Sequence, residues 1–143
     1  MTTSVPAVVD VSVLVAGLIS KRGGRVAATV SLIDLWWAGA IEPVVCPALV
    51  DEFEATLHKT KIARIIPSGD ATDYVTMLSV CSQMRPNPSN VPRVCRDPED
   101  DYLFALAVES GVSLVSVDPD ILETESPPCR VLGIGAFLPR SAR

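Results

Sequence analysis

Residues 5–15 form a run rich in valine, interrupted by Asp10 and Ser12. A run so dense in β-branched side chains is expected to form a strand buried on both faces, as in a parallel sheet covered by helices. An ionised carboxylate inside such a strand is costly unless it is paired or bound to metal. No Lys or Arg lies in the run to pair with it. Asp10 is therefore read first as a functional side chain. Capping of a turn, or pairing with a buried Arg from elsewhere, is the ordinary alternative.

The rest of the chain alternates strand-like with helical segments. Gly17 and residues 21–25 read as a loop, and residues 26–39 as a helix with Leu32, Leu35 and Trp36 on one side. Residues 42–46 are a short strand, and Pro47 opens a helix running to about residue 59. Residues 62–66 read as a helical turn and residues 70–84 as another helix. The stretch 85–92, with three prolines, is an irregular connector, after which Val94 and Cys95 suggest a short strand. A helix from Asp97 to near Gly111, a strand at 112–117, a turn at 119–123 and a last strand at 130–133 complete the pattern. Such alternation implies βαβ units. The expected fold is α/β, with a central parallel sheet and helices on both faces, in a single domain over residues 1–143. Sites in such sheets form beyond the carboxyl ends of the strands.

Composition agrees. A chain of 143 residues, 48% hydrophobic and 20% charged, has the apolar content for one real core. Its mean hydropathy of +0.35 suits buried parallel strands. The longest apolar stretch, residues 5–19, falls short of the roughly 20 apolar residues of a membrane span. Residues 1–9 carry no Lys or Arg, so a secretory signal fits poorly and the cytoplasm is the expected location. The four cysteines are scattered, without the spacing of a zinc ribbon, and are expected as reduced thiols. The net charge of −5 would disfavour nucleic acid if spread evenly. If the acids cluster at one site, the remainder is nearly neutral.

Three more acids stand out by position. On the helix from Pro47, Leu49, Val50, Phe53 and Leu57 share a face, and Glu52 lies at its edge while Asp51 points away. Glu54 flanks the other edge and is its competitor, and an ordinary solvated acid is an equally good reading of the spacing. In Asp97-Pro98-Glu99-Asp100-Asp101 the acids suit the start of a helix, where Asp97 would cap. Asp100, Leu103 and Ala107 share the inward face there, whereas Asp101 is expected to face away. Asp118 directly follows the strand 112–117, where a cap for the next turn and a site residue are both plausible readings. Carboxylates are hard oxygen donors that select Mg²⁺ or Mn²⁺. A chain with one histidine, His58, offers no credible Ser-His-Asp or Cys-His arrangement.

Four segments together resemble the PIN-domain family. These are Val8-Val9-Asp10-Val11-Ser12-Val13-Leu14-Val15, Cys46-Pro47-Ala48-Leu49-Val50-Asp51-Glu52-Phe53, Asp97-Pro98-Glu99-Asp100-Asp101-Tyr102-Leu103 with Ala107, and Leu114-Val115-Ser116-Val117-Asp118-Pro119-Asp120-Ile121-Leu122. Each is weak alone, but their order and spacing cover nearly the whole chain. The resemblance implies a Mg²⁺- or Mn²⁺-dependent endoribonuclease, similar to the toxin halves of bacterial VapBC-type toxin–antitoxin pairs. It maps the family's four acids to Asp10, Glu52, Asp100 and Asp118, as both catalytic and metal-holding residues. Ser116 takes a hydroxyl position that usually carries Thr, and Asp120 is an additional or outer ligand. RNA substrate, a cognate antitoxin protein and a homodimer are the implied partners, the last two through a surface such as that of Trp37.

This sequence departs from the family's pattern after the first acid, where Val11-Ser12 replaces Thr-Asn. Ser12 retains a hydroxyl, and Val11 has none. A catalytically weak or inactive RNA- or protein-binding module is therefore the second reading, and an aspartyl phosphate-transfer domain a third. The basic residues Lys21, Arg22 and Arg25 are expected on a loop at the site's rim, where they would steer RNA. Lys59, Lys61 and Arg64 read as a solvated helix end.

Overall fold

The first strand is shorter than the valine run. In this computed structural model, which describes residues 4–139, β1 covers Val5–Val9 and the chain then turns into helix α1, Val11–Arg22. The few residues beyond, at the two ends of the expected 1–143 domain, lie outside the described residues. The correction at residues 10–15 has a physical cause. Val11, Val13, Leu14, Val15, Gly17 and Leu18 are all buried in α1. A helix buried around most of its girth shows no polar stripe, so its sequence reads like a buried strand. The weak helix propensity of valine, a few tenths of a kcal/mol per residue, is outweighed by burial of its side chain.

Gly17 lies inside α1 and not in a loop. A Cβ there would meet Ile33 Cγ1 and the Thr29 carbonyl oxygen at 2.6 Å each. The missing side chain lets α1 lie close against α2, Ala28–Trp37. The chain continues through β2 (Ile41–Val45), α3 (Pro47–Leu57), α4 (Thr60–Ala63) and α5 (Ser68–Val80). Helix α5 stops before the expected residue 84, because Gln83–Met84 pairs with Val44 and Val45 as β3. Residues 94–95 form no strand. A 3-10 turn at Pro98–Asp100 leads into α6 (Asp101–Ser110), which ends at Gly111 in the left-handed conformation, φ 67°. Then come β4 (Ser113–Ser116), α7 (Pro119–Leu122), β5 (Val131–Gly133) and α8 (Ile134–Phe137).

The five strands form one parallel sheet in the order β3-β2-β1-β4-β5, flanked by helices. Helix α6 packs against β1, β2 and β4, while α1 packs against α2 and α3. The core runs through the sheet centre, with Ala7, Val8, Leu14, Val44, Leu49, Phe53, Leu103, Phe104, Leu114 and Val115 fully buried. From β1 the chain builds outward to β3, then returns to the other side of β1 as β4. Strand order reverses between β1 and β4, and a crevice opens beyond their carboxyl ends. No described helix is long and apolar enough to cross a membrane. All four cysteines are free.

Candidate active site

Asp10 follows β1 directly and caps α1, its Oδ1 accepting the Ser12 N–H at 3.4 Å. It is only 6% exposed. Its Oδ2 accepts the Ser116 hydroxyl at 2.8 Å. Ser116 ends β4, fully buried, and its oxygen in turn accepts the Asp118 N–H at 3.0 Å. One hydroxyl thus ties together the ends of neighbouring strands and the acid that follows each. Asp118 caps α7 by accepting the Asp120 N–H at 2.9 Å. The capping roles of Asp10 and Asp118 are real, and they coexist with placement at the crevice.

Two further elements bring the other acids. Glu52 projects from α3 half-buried, while Asp51 and Glu54 are exposed. The Tyr102 hydroxyl, on α6, donates to Glu52 Oε2 at 3.1 Å. Burial and the Glu52 carboxylate raise the phenol's pKa, so it remains a donor. Asp100 ends the 3-10 turn. Asp10, Glu52, Asp100 and Asp118 line one open cleft of about 370 Å³, with Ser12, Asp97, Glu99 and Lys59 at its walls. A roomier depression of about 470 Å³ near Pro6, Gly111 and Cys129 has Arg130 as its one charged side chain. It lacks convergent polar groups, so the acidic cleft is the chemical site.

The electrostatics are those of crowded carboxylates. Asp100 is pushed up to about 7, by burial first and then by Asp10, Asp97, Glu52 and Asp118. Glu52 is also raised, by burial first and then by Asp10 and Glu99, with the Tyr102 hydrogen bond and Lys59 opposing.

Two sequence expectations are placed differently, and a third holds with an addition. Asp101 faces away from the cleft as expected, and it is buried there at 2% exposure. Its Oδ1 accepts the Val94 and Cys95 N–H groups at 3.1 and 2.8 Å, and its Oδ2 pairs with Arg93 Nε at 3.2 Å. The side of α6 turned away from the cleft at Asp101 meets the connector, not water. Asp120 turns its carboxylate to Arg96 at 3.5 Å, in a separate cleft with Glu123 and Thr124. The basic segment after Gly17 lies at the far end of α1, roughly 18 Å from Asp10 at 1.5 Å per residue. There Lys21 pairs with Asp34 and Arg22 with Asp70.

Sequence reasoning did not find the roles of Tyr102, Lys59 or Asp101. Tyr102 stands 50 residues from the carboxylate it holds, a pairing no local spacing signals. The buried role of Asp101 had a faint signal, a second acid where one cap would suffice.

The cleft's donor set is carboxylate oxygen with the hydroxyls of Ser12 and Thr56 and one lysine, which fits a hard divalent cation and not zinc. Burial, and after it the neighbouring carboxylates, raise the pKa of Asp100, and such a cation would favour its charged form. Among the described residues no three His, Cys, Asp or Glu side chains stand close enough together to hold an ion as placed. Binding therefore requires the carboxylates to draw in.

No curated protein matches the chain. A family model described as PIN domain matches residues 6–118, from within β1 to the acid after β4. PIN domains are generally nucleases and usually use divalent metal ions. A match over most of the length, ending on the acid that closes the cleft, means that this chain belongs to the PIN-domain family.

Proposed function

We propose that this protein is a Mg²⁺- or Mn²⁺-dependent endoribonuclease, the toxin half of a toxin–antitoxin pair. The observation that carries the reading is the meeting of Asp10, Glu52, Asp100 and Asp118 in one cleft at the strand-order reversal. These four would hold the cation. A divalent cation bound there acidifies water and offsets the charge developing on a phosphodiester. The protein's own groups do the rest. Ser116 fixes the Asp10 carboxylate and the Asp118 backbone with one hydroxyl. Tyr102 orients Glu52, whose raised pKa suits it to take a proton from the attacking water. The expected products carry a 5′-phosphate and a 3′-hydroxyl. Ser12, at the cleft wall, offers its hydroxyl to the phosphate or a water.

Cleavage of mixed single-stranded RNAs with Mn²⁺, beside isothermal titration of the metal, tests this. Asp10→Asn should weaken Mn²⁺ binding at least tenfold and abolish cutting. Undiminished binding in that variant would remove the basis for the site. A non-catalytic RNA- or protein-binding module is the second reading, favoured by Val11, which brings an apolar side chain to the cleft wall. Metal binding without RNA cleavage would select it. The antitoxin and a homodimer remain proposals resting on resemblance. Trp37, 40% exposed with the Lys21 ammonium 5.2 Å from its ring, marks the face where either would dock.

A further inference from the structure

Half of the described cations of this acidic chain are already engaged. Lys21, Arg22, Arg93 and Arg96 sit in ion pairs, and Arg85 donates to the Glu109 carbonyl. The segment after Glu54 differs. From Ala55 to Gly69 there is no Asp or Glu, and Lys59, Lys61 and Arg64 lie within six residues. All three are exposed, and among the described residues none makes an ion pair. Arg25 and Arg130 are also outside ion pairs, but the cations near Arg25, Lys21 and Arg22, are already paired with Asp34 and Asp70, and Arg130 has no basic neighbour in sequence.

The placement of this segment gives the charge a direction. Helix α3 sends Glu52, Ala55 and Thr56 into the acidic cleft, and Lys59, just past its end, closes the same wall. Lys59 is the one basic side chain lining the cleft. Its carbonyl accepts the Ile62 and Ala63 N–H groups, so it starts α4 and is held in place. Ile66 is buried and Ile62 packs on the core, anchoring the apolar side of the segment. Lys61 and Arg64, spaced i and i+3, share a side of the short helix. An anchored turn thus carries three free cations outward from the rim of a carboxylate site. Surface cations spread for solubility alone would not need this anchoring or this contact with the cleft.

We infer that Lys59, Lys61 and Arg64 are the track on which successive phosphates of a single-stranded RNA lead into the acidic cleft, with Lys59 nearest the reacting phosphate. This rests on the nuclease reading. An RNA backbone suits the arrangement because its charges repeat along a line, and these cations follow one another from the cleft's rim. The three cations also offer the phosphates a route past the repulsion of the site's own acids.

The test uses the full chain carrying Asp10→Asn, so that RNA is bound and not cut, with a short labelled single-stranded oligoribonucleotide followed by fluorescence anisotropy. Adding Lys59→Ala, Lys61→Ala and Arg64→Ala should weaken binding about 10- to 100-fold at low salt. The slope of log affinity against log salt should fall by about 2, at about 0.7 per lost phosphate contact. Arg25→Ala, at the far end of α1, should cost less than about twofold. In the otherwise unaltered chain, Lys59→Ala should slow RNA cleavage while Mn²⁺ affinity by calorimetry is not reduced, and Lys59→Arg should restore most of the rate. An unchanged salt slope in a chain that still binds and cuts RNA overturns the track and leaves the nuclease reading standing. Unchanged RNA affinity with lost affinity for polyglutamate overturns it in favour of an acidic protein partner. A folded parent chain that neither binds nor cuts RNA overturns both.

Discussion

Asp100 holds its proton to about pH 7 because it is partly buried and because four other carboxylates crowd it. A carboxyl whose pKa is higher folded than unfolded binds more protons in the native state between those two values. Its contribution to stability is complete below about pH 4 and is lost as pH rises through about 7. Glu52 acts with the same sign. Without divalent cation, thermal unfolding in chelator should show a melting temperature that falls between pH 5 and pH 8. Asp100→Asn should flatten that fall, with about 1–2 kcal/mol regained at pH 8 after solvent screening of a half-exposed group. A melting temperature that rises over this range would contradict the crowding. At this scale the sequence was partly legible. Asp10 was visible from its own surroundings, as a charge among valines. Asp100 was separable from Asp101 by facing, although what Asp101 faces was not. Local spacing shows which way a side chain turns, but not what a distant segment will place there.

The elements were legible where their apolar pattern had one dominant period, as in α3 with Leu49, Phe53 and Leu57 buried. They were misread where burial is nearly all-round. Helix α1 passed for the continuation of a strand, and Gly17 for a loop residue, because a helix crossing point and a turn both call for glycine. The connector 85–97 shows the opposite case, a segment with little regular structure that is nonetheless fixed. Its first half is held by Arg85 on the Glu109 carbonyl and by Asn87 accepting the Ala48 N–H, and its second half by Asp101, through the Val94 and Cys95 amides and Arg93. The Cys95 thiol in turn donates to the Asp120 carbonyl, so the clamp reaches the turn that carries Asp118. Asp101→Ala would leave two amides without their acceptor, at about 1.5–3 kcal/mol for each hydrogen bond to a charged group. Chemical denaturation should show a loss of about 3–5 kcal/mol, and the Cys95 amide should exchange far faster. Unaltered exchange at Cys95 would mean that the connector is held by something else.

At the scale of the whole molecule, parallel topology was legible from alternation alone, and strand order was not. Nothing local says that β1, made first, ends between β2 and β4, or that α5 gives way to an edge strand at Gln83–Met84. That order has a consequence in time. The hydrogen bond between Ser116 and Asp10 closes a loop of 106 residues, and β4 supplies one whole flank of β1. A fragment ending at residue 112 keeps β1, β2 and most helices, yet leaves the central strand with a bare apolar edge. Such a fragment should show no cooperative thermal transition and no Mn²⁺ binding by calorimetry. A ribosome making this protein would therefore carry a harmless chain until β4 and Ser116 have been added. If the chain is the nuclease proposed, synthesis itself is a safety interval, and cutting begins only once the segment from β4 to Asp118 has joined the sheet.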